Sequence, residues 1–255
     1  MGFYDLSKEE RQQLVHRITA DIEADLQEGS TQHLHRYFSD EDTYIRKSGY
    51  QALGKIYKAE ESLRSEILKT LKSLMTSDNF SIRQTTVNAA GEIGMYNFEI
   101  VKRFFDTGLF DEHHAVRNAV IGSVKKMGAK NPEPTLKWAK GYLHHQDKEI
   151  RREVCHGIEL RGRTHPQDIL PLLEELQNDT TARVRNTLIH VLGQIAYKKG
   201  CLETVVAHLN HWENTALVSE AIDEIVDVHE RYKSFAALTQ EEAIAYISQN
   251  FKNGA

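Results

Sequence analysis

The stretch DNFSIRQTTVNAAGEI, residues 78–93, decides how the rest of the chain is read. It opens on an acidic and amide turn, passes through Ile82-Arg83, and then places Thr86, Ala90 and Ile93 on one side at the period of an α-helix. Asp and Asn ahead of such a segment supply acceptors for the unpaired N–H groups of its first turn and negative charge for the helix dipole. The same construction recurs at Ile45-Arg46, Val116-Arg117, Ile150-Arg151 and Val184-Arg185, so that the arginines are spaced by 37, 34, 34 and 34 residues. Val218-Ser219 stands another 34 residues on without its arginine, as in a degenerate terminal copy.

Counted from each arginine, the seventh residue is Leu53, Ala90, Val124, Ile158 or Leu192, and the tenth is Ile56, Ile93, Met127, Arg161 or Ile195. With the third residue (Gly49, Thr86, Val120, Val154, Leu188) they trace one apolar stripe, which predicts an amphipathic second helix in each copy. A further apolar-periodic segment precedes each turn: EILKTLKSLM, FEIVKRFF, PTLKWAKGYL, ILPLLEELQ and TVVAHLNHW. The unit is therefore helix, turn, helix, and Gly and Pro in AKNPEP, GRTHPQ and YKKG mark where one unit stops and the next begins. Ser7-x-x-Glu10 and Thr239-x-x-Glu242 have the capping-box pattern and predict one extra helix at each end.

Composition agrees with this reading. Apolar residues make up 40% of 255 residues, enough for a core, while 27% charged residues and four prolines suit helices with wet outer faces. No run approaches the roughly 18 apolar residues of a membrane span, and the N-terminal MGFYDLSKEERQQ lacks a secretory apolar segment, so a cytoplasmic protein without membrane contact is expected. Cys155 and Cys201 lie far apart without metal-ligand spacing and read as reduced packing residues. The net charge of -5 argues against an indiscriminate polyanion binder, although a locally basic groove is compatible with it.

The acidic turn, then Val/Ile-Arg, then Ala/Leu-Gly-x-Ile, as in DTYIRKSGYQALGKI (42–56) and residues 78–93, resembles HEAT repeats over residues 31–232. The resemblance implies an all-α fold: a right-handed α-α superhelix, an armadillo-like HEAT-repeat solenoid of about six helical pairs plus terminal capping helices. A single pair cannot bury its own stripe, so residues 1–255 are expected to form one domain, with an N-terminal cap (1–30), six repeats (31–232) and a C-terminal cap (233–255). Within residues 131–199, Trp138, Arg152 and the run VRNTLIHVLGQIA resemble the bacterial HEAT-like alkylpurine DNA glycosylases. That family carries a Trp and a catalytic Asp four residues apart on the helix before an arginine like Arg152. Its register places His113 and Arg117 at those two positions, which removes the carboxylate, while Asp111 and Glu112 lie close enough for a small slip to restore an acid.

On each second helix, positions one, five, eight and twelve after the arginine point away from the apolar stripe, onto what the resemblance makes the concave face. The candidate binding residues there are Lys47, Gln51, Gln84, Asn88, Asn118, Lys125, Arg152, His156, Arg163, Asn186 and His190, joined by Arg161, which stands where neighbouring copies carry Ile or Met. Of the twenty positions in five complete repeats only Glu159 is acidic, and amides, cations and interspersed glycines suit phosphate oxygens or an extended peptide backbone. Arg161 must pair with an acid such as Glu159 or Asp168, or else reach the groove, where Arg152 and Arg163 make the fourth repeat the place for an anion. The repeated arginines themselves read as structural, bonded to turns. His113-His114 and His144-His145 diverge too much for a metal site, and His156 and His190, one repeat apart, are expected at about 10 Å by ordinary helix packing. No cofactor, no metal and no assembled nucleophile and base are expected.

Two functions follow. The first is a non-catalytic binding or scaffold protein that holds a protein or peptide partner along the concave face. The alternative is a DNA-binding relative of the alkylation-repair glycosylases, with duplex DNA on Lys47, Lys125, Arg152 and Arg163; an enzymatic activity, if present, would be of that glycosylase type.

Overall fold

Every arginine-bearing segment folds as a helix, and most second helices, Ala182–Ala196 excepted, are capped by a side chain of the turn before them. Asp42 Oδ1 accepts from Tyr44 N at 2.7 Å, Asn79 Oδ1 from Ser81 N at 2.8 Å, Asp147 Oδ1 from Glu149 N at 2.9 Å and Asn214 Oδ1 from Leu217 N at 3.1 Å. The two capping boxes are also formed: Ser7 Oγ accepts from Glu10 N and Thr239 Oγ1 from Glu242 N, both at 3.2 Å, while each glutamate accepts from the cap's own N–H at 2.8 Å. Among the described residues, 2–252 of this computed structural model, the regular structure is helical throughout, without strands. Met1 and residues 253–255, the outermost ends of the two expected caps, lie outside the described residues.

The chain divides into two compact units, Met1–Asn131 and Pro132–Ala255. In the first, α1 (Lys8–Glu28) caps three pairs: α2 (Gln32–Phe38) with α3 (Thr43–Ala59), α4 (Arg64–Leu74) with α5 (Phe80–Gly94), and α6 (Lys102–Gly108) with α7 (His114–Lys130). The second helices pack in succession, α1 on α3, α3 on α5 and α5 on α7. In the second unit, α8 (Pro132–Lys140) precedes α9 (Lys148–Gly157) and the short α10 (Glu159–Gly162). Then come α11 (Pro166–Glu174) with α12 (Ala182–Ala196), α13 (Leu202–Leu209) with α14 (Thr215–Arg231), and the closing α15 (Gln240–Asn250). Here α9 packs on α12, α12 on α14 and α14 on α15. Among the described residues the α-helices thus form six pairs and two terminal helices.

The stripe read from the sequence is the core. Leu53, Ala90, Leu192, Thr86, Leu188 and Met127 are wholly buried, and Val124, Ile158, Ile56 and Ile93 nearly so. Trp138 and Trp212, on or just beyond first helices, are buried with them, as are the free thiols of Cys155 and Cys201. Burying a Leu, Ile or Val side chain stabilises by about 1.5–3 kcal/mol, so this repeated stripe supplies the cohesion that no single pair could.

Arg46, Arg83, Arg117 and Arg151 close their turns. Arg83 Nη1 donates to Ser77 O (2.9 Å) and Asp78 O (3.2 Å), Arg117 Nη1 to Asp111 O (2.7 Å) and Glu112 O (2.9 Å), and Arg151 Nη1 to His145 O (2.7 Å) and Gln146 O (3.1 Å). Arg46 bonds the carbonyls of Asp40 and Glu41 in the same way. Arg83, Arg151 and Arg185 also reach the next repeat: Arg83 grips Asp111 through Nε (2.7 Å) and Nη2 (2.9 Å), Arg151 grips Asp179 through Nε (2.5 Å) and Nη2 (3.1 Å), and Arg185 grips Glu220 through Nε (3.3 Å) and Nη2 (2.5 Å). A guanidinium is suited to this because its fork serves a carboxylate and a pair of carbonyls at once.

Two local readings differ from the sequence. FEIVKRFF is helical only from Lys102, its first residues forming a turn that buries Phe98. In the fourth repeat the second helix breaks at Ile158, after Gly157, into α9 and α10.

Candidate functional site

In the first unit the predicted face gathers into two shallow clefts. Lys47, Gln84 and Asn88 line one of about 320 Å³ between α3 and α5, together with Tyr44, Tyr50 and Thr85. Gln51 lines the next, about 350 Å³, with Lys55, Lys58, Glu92 and Tyr96. Lys58 Nζ lies 4.6 Å from the centre of the Tyr96 ring, and Tyr44 and Tyr96 are exposed. Lys126 Nζ lies 2.9 Å from Glu92 and 5.1 Å from the Tyr50 ring, tying α7 to α5 and α3. Burial works against its charge, but the Glu92 carboxylate outweighs this and holds the Lys126 ammonium above its ordinary range. The bridge to the neighbouring helices thus runs through position nine after the arginine, one residue beyond the predicted Lys125. Asn118 is exposed on α7 and Lys125 half-buried.

Glycine at position eight has a different job from the one its spacing proposed. A Cβ on Gly54 would lie 2.5 Å from Glu92 Cβ, one on Gly91 2.5 Å from Ser123 Oγ, and one on Gly193 2.8 Å from Glu224 Cγ. These glycines admit the adjacent second helix and leave no open floor for a ligand. Gly122, at position five, has nothing within 4 Å and faces open space.

In the second unit the cations of the fourth repeat are held by acids. Arg152 pairs with Glu149 (3.0 Å) and Glu153 (3.4 Å), Arg161 with Asp168 (2.6 Å), and Arg163 donates through Nη2 to Glu159 and, at 2.9 Å, to Gln194 Oε1. Arg161 is thereby turned toward α11 and away from its companions, because a guanidinium taking the place of a core Ile needs a carboxylate. Glu153 and Glu159 are themselves buried, 3% and 2% exposed. His156 and His190 stand closer than ordinary helix packing predicts: their ring centres are 6.0 Å apart, and His156 Nε2 lies 3.1 Å from Glu159 Oε2. The His156 ring is drawn to the buried Glu159 carboxylate where the helix breaks after Gly157, and one ligand atom of His190 lies within 4.8 Å of both.

Asn186 and His190 line a cleft of about 460 Å³ between α12 and α14, whose other wall is Glu220, Asp223, Glu224 and Asp227. Sequence reasoning missed this acidic wall because the sixth repeat, without its arginine, was not read for its face. The 34-residue spacing that located Val218-Ser219 was the available signal.

The residues in register with the glycosylase pair are occupied otherwise. His113 is the N-cap of α7, its Nδ1 accepting from Ala115 N at 3.2 Å, and its ring stacks on Phe80 with centres 3.6 Å apart. Arg117 closes the turn described above. Asp111 accepts from Arg83 twice and from His113 N at 2.8 Å. Burial raises its pKa, but these bonds outweigh it and hold the carboxyl below the usual range; Arg151 and Thr181 do the same for Asp179. His144 lies 2.8 Å from Glu175. No helix among the described residues is long and apolar enough to cross a membrane.

No family model matches this chain, and neither does any curated protein. Solved structures do. A chain of the Pds5–Scc1 complex superposes with a TM-score of 0.51 at 10% identity, over 96% of this chain and 42% of that one. The TOG-array protein Crescerin, described as regulating microtubules in the primary cilium, gives 0.49 at 17% over 76% and 88%. A chain from the structure of Kap95p with RanGDP gives 0.46 at 16% over 77% and 30%. This chain therefore spans less than half of the Pds5–Scc1 and Kap95p chains. The fold class is that of HEAT and armadillo-like repeats, an all-α superhelix of helix pairs.

Proposed function

We propose that this is a non-catalytic repeat protein that holds a protein or peptide partner along the exposed face of its second helices, chiefly on α3 and α5. The observation that carries the reading is the pair of clefts in the first unit, where Lys47, Gln84, Asn88 and Gln51 alternate with Tyr44, Tyr50 and Tyr96. Amides match the donors and acceptors of a peptide backbone, and half-exposed tyrosines give a partner apolar area with a polar tip. A structural neighbour from a protein–protein complex, Pds5–Scc1, is in keeping with this. We assign the protein to the cytoplasm, in keeping with its two buried free thiols.

The duplex-DNA alternative draws no support from the second unit. It needs a row of cations available to phosphates, and Arg152, Arg161 and Arg163 are each paired with carboxylate, while the sixth repeat turns an acidic wall outward. The test is capture of partners by the immobilised chain from a lysate of its source organism, with and without nuclease. The proposal expects specific protein that survives nuclease and is lost with Lys47→Glu/Asn88→Ala. Capture that nuclease abolishes, or that the double variant leaves unchanged, contradicts it.

A further inference from the structure

We propose that His156, Glu159 and His190 form a binding site for a divalent transition-metal ion, with Zn2+ the ion to test. Each of the three side chains places one ligand atom within 4.8 Å of the other two, and His156 Nε2 is already 3.1 Å from Glu159 Oε2. Ligands at about 2.0–2.1 Å from a tetrahedral zinc lie about 3.4 Å apart, so His190 needs to close by at most about 1.4 Å. Two imidazoles and a carboxylate are a donor set that suits zinc and its neighbours in the first transition row and disfavours calcium or magnesium.

The surroundings support the site in ways a surface coincidence does not. Glu159 is 2% exposed, and its second oxygen is held by Arg163, which leaves Oε2 turned to His156. Outer hydrogen bonds of this kind fix the orientation of a ligating carboxylate. The Arg163 nitrogen that donates to Glu159 also donates to Gln194 Oε1, which sets the Gln194 amide beside the same carboxylate. Gln194 is 4% exposed, and its Nε2 has no hydrogen-bond partner. A buried amide donor without an acceptor costs about 1–3 kcal/mol. An oxygen completing the coordination of a metal ion, from water, hydroxide or a partner's carboxylate, would satisfy it. Glu224 Oε1, 4.0 Å from His190 Nδ1, adds a carboxylate at the margin of the site. The residues come from α9, α10 and α12, three elements of one unit brought together by the helix break after Gly157.

The experiment is titration of the chelator-treated full chain with Zn2+ against a chromogenic competitor, together with Co2+ absorption spectra and thermal melts. One ion per chain is expected, with the intense visible bands of tetrahedral Co2+ and a rise in melting temperature. His156→Ala and His190→Ala each weaken binding by more than about 100-fold, and Glu224→Gln by about tenfold. Both histidines are partly exposed, so these variants fold, which circular dichroism checks; Glu159→Gln is secondary because it also frees Arg163. His144→Ala, in a different turn, leaves binding unchanged. Stoichiometric Zn2+ binding that survives both histidine variants, or no binding tighter than that of unstructured histidine peptides, overturns the proposal. Its outcome is independent of whether a protein partner is captured on α3 and α5.

Discussion

The cleft between α3 and α5 and the cleft between α12 and α14 occupy equivalent places in the repeat and carry opposite chemistry. Position one is Lys47 and Gln84 in the first and Asn186 and Glu220 in the second; position five is Asn88 in the first, with Gln51 in the adjoining cleft, against His190 and Glu224. The frame beneath them is common: a buried stripe, a turn ahead of each second helix and, except in the sixth repeat, an arginine. The contrast shows that the stripe and turns hold the fold while the outward face varies without disturbing it. One face can then present amides, lysines and tyrosines and the other histidines and acids.

The largest effect that separates frame from face is expected at the arginines. Arg83→Ala leaves Asp111, 8% exposed, as a buried carboxylate without its partner, and should lower unfolding free energy by about 3–5 kcal/mol in urea denaturation. Arg185→Ala removes a pair whose acid, Glu220, is 54% exposed, and should cost under about 1 kcal/mol. Equal losses would show that the ladder is not what couples neighbouring repeats.

The same pairs set the response to acid. Asp111 and Asp179 are held below the usual carboxylate range, so the stability they contribute is present above the unfolded value near pH 4 and is lost as pH falls through the lowered folded values. Melting temperature should therefore fall steeply below about pH 4 in the native chain, and less steeply in Arg83→Ala. A steeper slope in the variant would reverse the assignment.

Next in size is Gly91→Ala, whose Cβ would meet Ser123 at 2.5 Å and should cost about 1–3 kcal/mol, read by denaturation. Gly122→Ala, with open space around it, should be neutral or stabilising by up to about 1 kcal/mol. The effect on binding leaves the frame untouched: Asn88→Ala alone should weaken partner affinity by about tenfold, or about 1.4 kcal/mol, with no change in melting temperature.

The frame was legible in the sequence because it is built from local periodicity: one arginine, one stripe and one cap, repeated about every 34 residues. The face was legible only in part. Lys47, Gln84 and Asn88 do share a cleft, and Asn186 and His190 share another. What could not be read was which cations would be claimed by acceptors on other helices, since Arg163 meets the Gln194 amide and Arg183 the Glu149 carboxylate across more than 30 residues. Nor did a periodic reading anticipate the break after Gly157 that buries Glu159 beside two histidines, or the cap that makes His113 structural. The interspersed glycines suit a ligand by sequence, whereas Gly54, Gly91 and Gly193 are contacts between second helices.

The most direct test places a photo-crosslinking phenylalanine analogue at Gln84 in one protein and at Asp223 in another, and irradiates each in lysate with and without nuclease. The account predicts a discrete, nuclease-resistant protein adduct from position 84 and none of that mass from position 223. Nucleic-acid adducts at position 84, or the same adduct from both positions, would contradict it.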